Sequence, residues 1–415
     1  MNSDKNINKS INSGLRLDIL PIARAGHPYR TLIGADFLSQ DSSAVCWFEG
    51  LEKTGLHFFP DKKQITGIPR NSGSFDVQFC IKEYNENAGM EEFSSHSLKL
   101  IIEDDYDFQL GEVDKNDPYW KPDEDVYSIA VNDENRKRLK KDVTAASLRG
   151  YHHFENGKIR EDDFCIHYDP ATRWYILAVA DGAGKSKYAR QGSKIACNSS
   201  VQHCLEQLTA QSRDLRKISI TFSSRKMNRA RTELASRLHK IIAASAKRAY
   251  DDITAEAKKA DCQPEDYAST LLLCVCKKFE FGWLIGSFTV GDGAVCVFNK
   301  EKWYANLIGG GEESSKKYFL TSPGILHDAE LEKRIRFTVI DDFTALFLMT
   351  NGVSDQKFEF EDDLPCFELW NRLWNDINSQ VTFSGKIKEV GEQLLKWLDF
   401  WTPGKYDDRT LAMVF

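Results

Sequence analysis

The chain has 415 residues, 41% hydrophobic and 28% charged, a balance that suits a soluble globular protein with room for two to three domains. Its formal net charge of −7 speaks against a dedicated nucleic-acid binder, and no stretch reaches the ~20 apolar residues of a membrane span. The polar opening from Met1 to Ser13 lacks the apolar stretch of an export signal, and the ten cysteines follow no disulfide or zinc spacing, so reduced thiols in a cytoplasmic protein are expected.

Residues 1–17 read as a disordered tail. From there to residue 104, short apolar runs alternate with turn residues: Thr31 to Ile33, Val45 to Phe48, Leu56 to Phe59, Phe75 to Ile81 and Leu98 to Ile102. That spacing predicts a small β-sandwich. Ala25-Gly26-His27-Pro28-Tyr29, Gln64-Ile65-Thr66-Gly67-Ile68-Pro69 and Gly73-Ser74-Phe75 resemble the "I-x-G-x-P" and "G-x-Y/F" elements of bacterial Ig-like domains. The resemblance implies a spacer or a binding module, with the spacer the commoner case. Residues 105–142 are charged and aromatic, contain Pro118 and Pro122, and read as a linker with a helical part near Asp133 to Lys141.

The pattern changes over residues 143–415. Apolar strands are expected at Trp174 to Ala180, Ala268 to Cys276, Trp283 to Val290, Ala294 to Phe298, Phe337 to Ile340, Ala345 to Met349 and Leu411 to Phe415. Residues 189–208, 227–257, 366–373 and 387–400 carry apolar side chains at intervals of three and four and read as helices. Strands and paired helices in this order predict a layered α/β or α+β core. Cys274 and Cys276 fall on one side of a strand, where core packing is the simpler reading than a soft-metal site. Gly309-Gly310-Gly311 lacks the Lys-Ser/Thr ending of a phosphate loop and reads as a mobile loop. The basic run from Arg213 to Arg231 reads as a solvated face, with a docking patch for a phosphorylated partner as the alternative.

Acidic or amide residues stand at the ends of these strands. Asp181-Gly182 follows Trp174 to Ala180, Asp292-Gly293 follows Phe288 to Gly291, and Asn351-Gly352 follows Leu346 to Thr350. Asp407 precedes the last strand, and Glu161-Asp162 precedes Phe164 to His167. A strand holds its terminal residue rigidly, and glycine beside it lets a backbone carbonyl approach an ion. Converging carboxylates repel unless cations neutralise them, and hard oxygen donors with water suit Mg²⁺ or Mn²⁺ rather than Zn²⁺. A lone Asp-Gly is usually a turn; the ordered set is what carries the reading.

The set comprises Ala146-Ser147-Leu148-Arg149-Gly150, His153, Glu161-Asp162, Val179 to Gly184, Ser269-Thr270-Leu271, Gly291-Asp292-Gly293, Met349 to Val353 and Asp407-Asp408-Arg409-Thr410. It resembles the type 2C (PPM-type) metal-dependent protein serine/threonine phosphatases, and among them a bacterial subgroup with "S-x-R-G-x-x-H", "D-G-A-G" and "D-D-R-T". The resemblance implies an α+β fold, a central β-sandwich flanked by helices. It implies Asp181 bridging two Mn²⁺ or Mg²⁺ ions, the Gly182 carbonyl on one of them, Asp407 as a terminal ligand, and Asp162 with Glu161 acting directly or through water. Asp292 would help hold a third, weaker ion. A phosphorylated protein, such as a Ser/Thr kinase or its targets, is the implied partner.

Two departures stand out. Asn351 occupies the place of a ligand Asp; its amide oxygen can coordinate but brings no charge, so weaker metal binding is expected. Ala183 stands where eukaryotic members carry a general-acid His. His153 is one stand-in, as a catalytic or a structural residue, and Arg149 and Arg160 are candidates for gripping phosphate. The sequence thus supports a phosphatase acting through a metal-activated water, or alternatively a weakened phosphatase-like binding module.

Overall fold

The computed structural model describes residues 20–33, 45–85, 90–104, 111–131, 141–222, 227–310, 318–358, 363–400 and 406–415. The chain divides into two compact units, one built mainly from Met1–Asp107 and the other from Phe108–Phe400 and Gly404–Phe415.

The first unit is all-β among its described residues. Strands β1 (Ala23–Arg24), β2 (Tyr29–Leu32), β3 (Val45–Glu49), β4 (Leu56–Phe59), β5 (Gln64–Gly67), β6 (Gly73–Asn85) and β7 (Met90–Glu103) form two sheets, β1-β7-β6-β3 and β2-β5-β4. Alternation explains the core: Val77, Phe79 and Ile81 of β6 and Leu98, Leu100 and Ile102 of β7 point one way and pack on Leu51, Leu56 and Ile65. The β6–β7 hairpin is longer than the apolar runs suggested, pairing from Gly73↔Ile102 to Asn85↔Met90.

The second unit is a four-layer α+β sandwich. Its strands are β8 (Glu124–Ile129), β9 (Val143–Leu148), β10 (Asp163–Asp169), β11 (Trp174–Ala180), β12 (Leu271–Phe279), β13 (Gly282–Val290), β14 (Ala294–Asn299), β15 (Tyr304–Gly310), β16 (Ile335–Ile340), β17 (Ala345–Met349) and β18 (Arg409–Val414). They form two antiparallel sheets, β10-β11-β12-β13-β16 and β15-β14-β17-β18-β9-β8. Between the sheets lie Leu177, Val179, Leu272, Val295, Val297, Leu346, Leu348 and Ala412. Cys274 and Cys276 are fully buried in this layer as free thiols, as expected of core residues.

Helices cover the outer faces. A short α1 (Tyr151–Glu155) leads into β10. The five-stranded sheet is covered by α2 (Ala189–Ala210), α3 (Ser212–Phe222) and α4 (Met227–Lys259), where Leu234, Leu238, Ile241, Ile242, Ala249 and Ile253 repeat at helical spacing. After the short helices α5 (Asp328–Arg334) and α6 (Asn351–Lys357), α7 (Phe367–Gln380) and α8 (Ile387–Leu398) cover the six-stranded sheet with Trp370, Leu373, Ile377, Val390, Leu394 and Trp397. Each central strand is therefore apolar on both faces, which is why β11 reads W-Y-I-L-A-V-A.

Two expectations are corrected and a third falls almost wholly outside the described residues. The segment expected to be a linker supplies β8, which pairs along the whole of β9 from Glu124↔Leu148 to Ile129↔Val143. Its charged edge residues and neighbouring prolines hid the strand, as an edge position permits. The helix expected over Asp133 to Lys141 falls on residues outside the described ones, apart from Lys141, which is not helical. Gly309 and Gly310 end β15 against Val295 and Ala294 rather than forming a loop, while the residues after them lie outside the described ones.

Candidate active site

Glu161-Asp162 enters β10, Asp181 leaves β11, Asp292 follows β13, Asn351 opens α6 after β17, and Asp407-Asp408 enters β18. These strand ends belong to both sheets, so the sandwich itself brings the acids together.

Asp408 is the most enclosed of them. Its Oδ1 accepts the Gly150 N–H at 2.6 Å and meets His153 Nδ1 at 2.8 Å; its Oδ2 accepts the N–H groups of Glu161 at 2.5 Å and Asp162 at 3.2 Å. Burial alone would raise this carboxyl, but the His153 charge and the donors around it win and hold it at about 2. Burial pulls His153 down, but the Asp408 carboxylate outweighs it and lifts the imidazole to about 9. The protonated ring therefore donates from Nδ1 to Asp408.

Asp162 is held on one oxygen only. Thr350 Oγ1 at 2.8 Å and Thr410 Oγ1 at 2.6 Å donate to its Oδ2. Because Thr410 spends its hydrogen on Asp162, Ser147 Oγ, 2.7 Å away, donates to Thr410. The other oxygen, Asp162 Oδ1, is buried without a hydrogen-bond partner in the protein. Burial, and after it the charge of Asp408, raises this carboxyl to about 7.

Asp181 is tied by its backbone: its N–H donates to Thr270 Oγ1 and its carbonyl accepts the Thr270 N–H, both at 2.8 Å. Burial, then the carboxylates of Asp162, Asp407 and Asp292, push its own carboxyl well above the usual range. Asp407 is raised by burial and by Asp408, with Asp292 adding to the effect. These acids thus share one field of like charge. Two glycines make the approach possible. A Cβ on Gly352 would stand 1.8 Å from the Asp408 carbonyl oxygen, and one on Gly182 would stand 2.9 Å from the Glu161 carbonyl oxygen.

Of the expected site residues, Asp162, Asp181, Asp292 and Asp407 act on one another in this way. Asn351 joins them through Thr350, the residue before it, and its Oδ1 is likewise buried without a hydrogen-bond partner. Arg149 is withdrawn: its NH1 donates to Asp123 at 3.0 Å, its NH2 to the His153 carbonyl at 2.8 Å, and its guanidinium lies over the Phe154 ring. Arg160 is equally internal, donating to the Pro122 carbonyl at 3.2 Å. His153 is only 4% exposed and sits between Asp408, at 2.8 Å, and Glu161 Oε2, at 3.6 Å. Sequence reasoning gave no role to Asp408, Thr350 or Thr410, although all three lie inside the quoted motifs. Period-two alternation at the start of β18 was the available signal, since it sends neighbouring acids to opposite sides.

The donor set suits a hard divalent cation. An unpaired buried acceptor costs roughly 1–3 kcal/mol; Asp162 Oδ1, on a carboxyl that burial raises, is such an oxygen, and so is Asn351 Oδ1 on the residue after Thr350. Among the described residues, no group of three or more His, Cys, Asp or Glu side chains is arranged to hold a metal ion.

The family model for protein phosphatase 2C matches residues 149–399. The chain belongs to the protein phosphatase 2C family. No curated protein sequence matches it significantly. Among solved structures it is similar to a bacterial serine phosphatase, with 15% identity, 66% of this chain and 96% of that one covered, and a TM-score of 0.39. It is similar to the serine/threonine phosphatase Stp1 from Staphylococcus aureus at 16% identity, covering 66% of this chain and 93% of that one, with a TM-score of 0.36. The catalytic domain of the serine threonine protein phosphatase PstP, solved with two manganese ions, is similar at 14% identity, with 66% and 96% covered and a TM-score of 0.35. The family match, rather than these distant likenesses, carries the assignment.

Proposed function

We propose that the second unit hydrolyses phosphoserine and phosphothreonine in proteins with Mn²⁺ or Mg²⁺. The observation that carries this is Asp162 Oδ1, a partnerless buried oxygen among the raised carboxyls of Asp181 and Asp407 in a chain of the phosphatase 2C family; Asn351 Oδ1 is likewise buried and partnerless. Asp181, Asp162, Asp407, Asn351 Oδ1 and the Gly182 carbonyl would hold two cations, and Asp292 a third. When bound, such cations lower the pKa of a water molecule and offset charge on the phosphoryl group. The chain's own part is positional. Thr350 and Thr410 fix Asp162, His153 keeps Asp408 ionised, and Asp408 gathers the amides of Gly150, Glu161 and Asp162 around itself.

A phosphorylated protein, such as a kinase or its targets, is the substrate this reading implies, with the reaction in the cytoplasm. Among the described residues no helix is long and apolar enough to cross a membrane. The first unit, read as Ig-like, would act as a spacer or recruit the partner.

One observation favours a second reading, a weakened phosphatase-like binding module: Asn351 contributes no charge where a ligand carboxylate would. Mn²⁺-dependent hydrolysis of a phosphothreonine peptide separates the two. Activity in the unmodified chain is expected, to be abolished by Asp181→Asn and raised by Asn351→Asp. Silence in all three, with folded protein and saturating metal, would establish the binding module.

A further inference from the structure

We propose that Lys121, supplied by the segment that precedes the family match, is a positioning residue for the acids at the head of β10. Lys121 is 6% exposed. Its Nζ donates to the Asp162 carbonyl at 2.7 Å and to Asp163 Oδ2 at 3.1 Å, and lies 3.5 Å from the Glu161 carbonyl and 3.4 Å from Ser193 Oγ. Ser193, on α2, also donates to the Glu161 carbonyl.

The backbone of Glu161 and Asp162 is therefore gripped on both sides. Its N–H groups go to Asp408 Oδ2, and its carbonyls go to Lys121 and Ser193. With all of these polar groups engaged, the peptide cannot rotate without breaking a charge-assisted bond at one end. The clamp fixes the backbone from which the Asp162 side chain reaches Thr350 and Thr410.

The same segment reaches the Asp181 loop. Asp117 pairs with Arg190, and Tyr119 packs edge-on against Tyr188 at 5.3 Å while its hydroxyl meets Tyr267 at 3.1 Å. Tyr188 precedes and Arg190 lies in the first turn of α2, the helix that follows the Asp181-Gly182 loop. Asp123 takes the Arg149 N–H at 2.7 Å and its guanidinium at 3.0 Å. A burial cost large enough to depress the Lys121 ammonium is thus met by Asp163 and the carbonyls. Lysine fits because a compact ammonium with three donors can serve several acceptors at once.

The effect on metal rests on the phosphatase reading; the clamp itself rests on geometry. The test uses the full chain and its Lys121→Met, Lys121→Arg and Ser193→Ala variants, with two readouts. Amide exchange in metal-free protein is expected to accelerate about tenfold or more at Glu161 and Asp162 in Lys121→Met. Mn²⁺ affinity by calorimetry is expected to fall about 10–100-fold, with kcat toward p-nitrophenyl phosphate falling more than KM rises. Lys121→Arg, which keeps charge and donors, should recover part of both. Should Lys121→Met fail to fold, Ser193→Ala removes a single hydroxyl and should move both readouts the same way by less. Unchanged exchange at Glu161 and Asp162 in folded Lys121→Met overturns the inference, as does unchanged Mn²⁺ affinity in a chain that binds the ion. Accelerated exchange in a chain that binds no Mn²⁺ upholds the clamp and removes the phosphatase reading instead.

Discussion

At the scale of single residues, the site separates acids by what surrounds them. Asp408 and Asp162 are close in space and both buried, yet one is held at about 2 and the other lifted to about 7. The difference is the cation: Asp408 faces a protonated His153, whereas Asp162 faces two hydroxyls and other carboxyls. The withdrawal of Arg149 and Arg160 leaves Lys158 as a cation beside the Asp181 loop, its Nζ 2.9 Å from the Gly184 carbonyl and 3.9 Å from Glu161 Oε1. Lys158→Ala is expected to raise KM for a phosphothreonine peptide several-fold with kcat changed less than twofold; steady-state kinetics at saturating Mn²⁺ check it, and an unchanged KM refutes a substrate contact. Away from the site, Lys277 is half-buried against the Trp174 and Phe279 rings, and desolvation followed by Arg173 and Arg216 depresses it to about 8. A lysine with a lowered folded-state pKa destabilises in full below about 8 and loses that penalty as pH rises toward its unfolded value of 10.5. Lys277→Met should therefore raise Tm at pH 7 by about 2–4 °C, and the gain should shrink by pH 10, as thermal scans at the two values would reveal.

At the scale of elements, the site depends on where strands stop and helices begin. Helix α6 starts against the Asp408 carbonyl because residue 352 has no side chain to hold it off. Gly352→Ala must push α6 away, and with it Asn351 and Thr350. Activity should drop by more than tenfold and Tm should fall by several degrees, which hydrolysis assays and thermal unfolding measure together. The elements legible from sequence were those with strong periodicity. Strands such as β11 and β12 stood out because both faces are buried, and α4 and α8 because their apolar stripes repeat. β8 was missed because an edge strand carries charge on its open side and leaves no apolar run. Asp181, Asp162, Asp292 and Asp407 were legible because glycines and strand ends flag them. Lys121 was not: its partners are 40 or more positions away in the chain, and a lone lysine between two other charged segments gives no local sign of burial.

At the scale of the molecule, two compact units with separate cores share one chain. A ligand stabilises only the unit that binds it, by roughly 2.7 kcal/mol at a hundred times its Kd. Calorimetry is expected to resolve two transitions, of which Mn²⁺ raises one by about 3–8 °C and leaves the other in place. A single transition that moves as a whole would mean that the two cores melt together.

The place of β18 in its sheet also sets a timetable for biosynthesis. It lies between β17 and β9 and carries Asp407 and Asp408 at its head, so the last strand of the unit to leave the ribosome is a central one. Asp181 is made 226 residues before Asp407 (407 − 181), a wait on the order of 10–50 s at ordinary translation rates. Throughout that interval β9 (Val143–Leu148) presents an open edge, β17 (Ala345–Met349) adds a second once it is made, and the Asp408 grip on Gly150, Glu161 and Asp162 does not exist. The acids of the site are thus brought together only when nearly all of the unit has emerged, and its unpaired edges are where a chaperone has work to do.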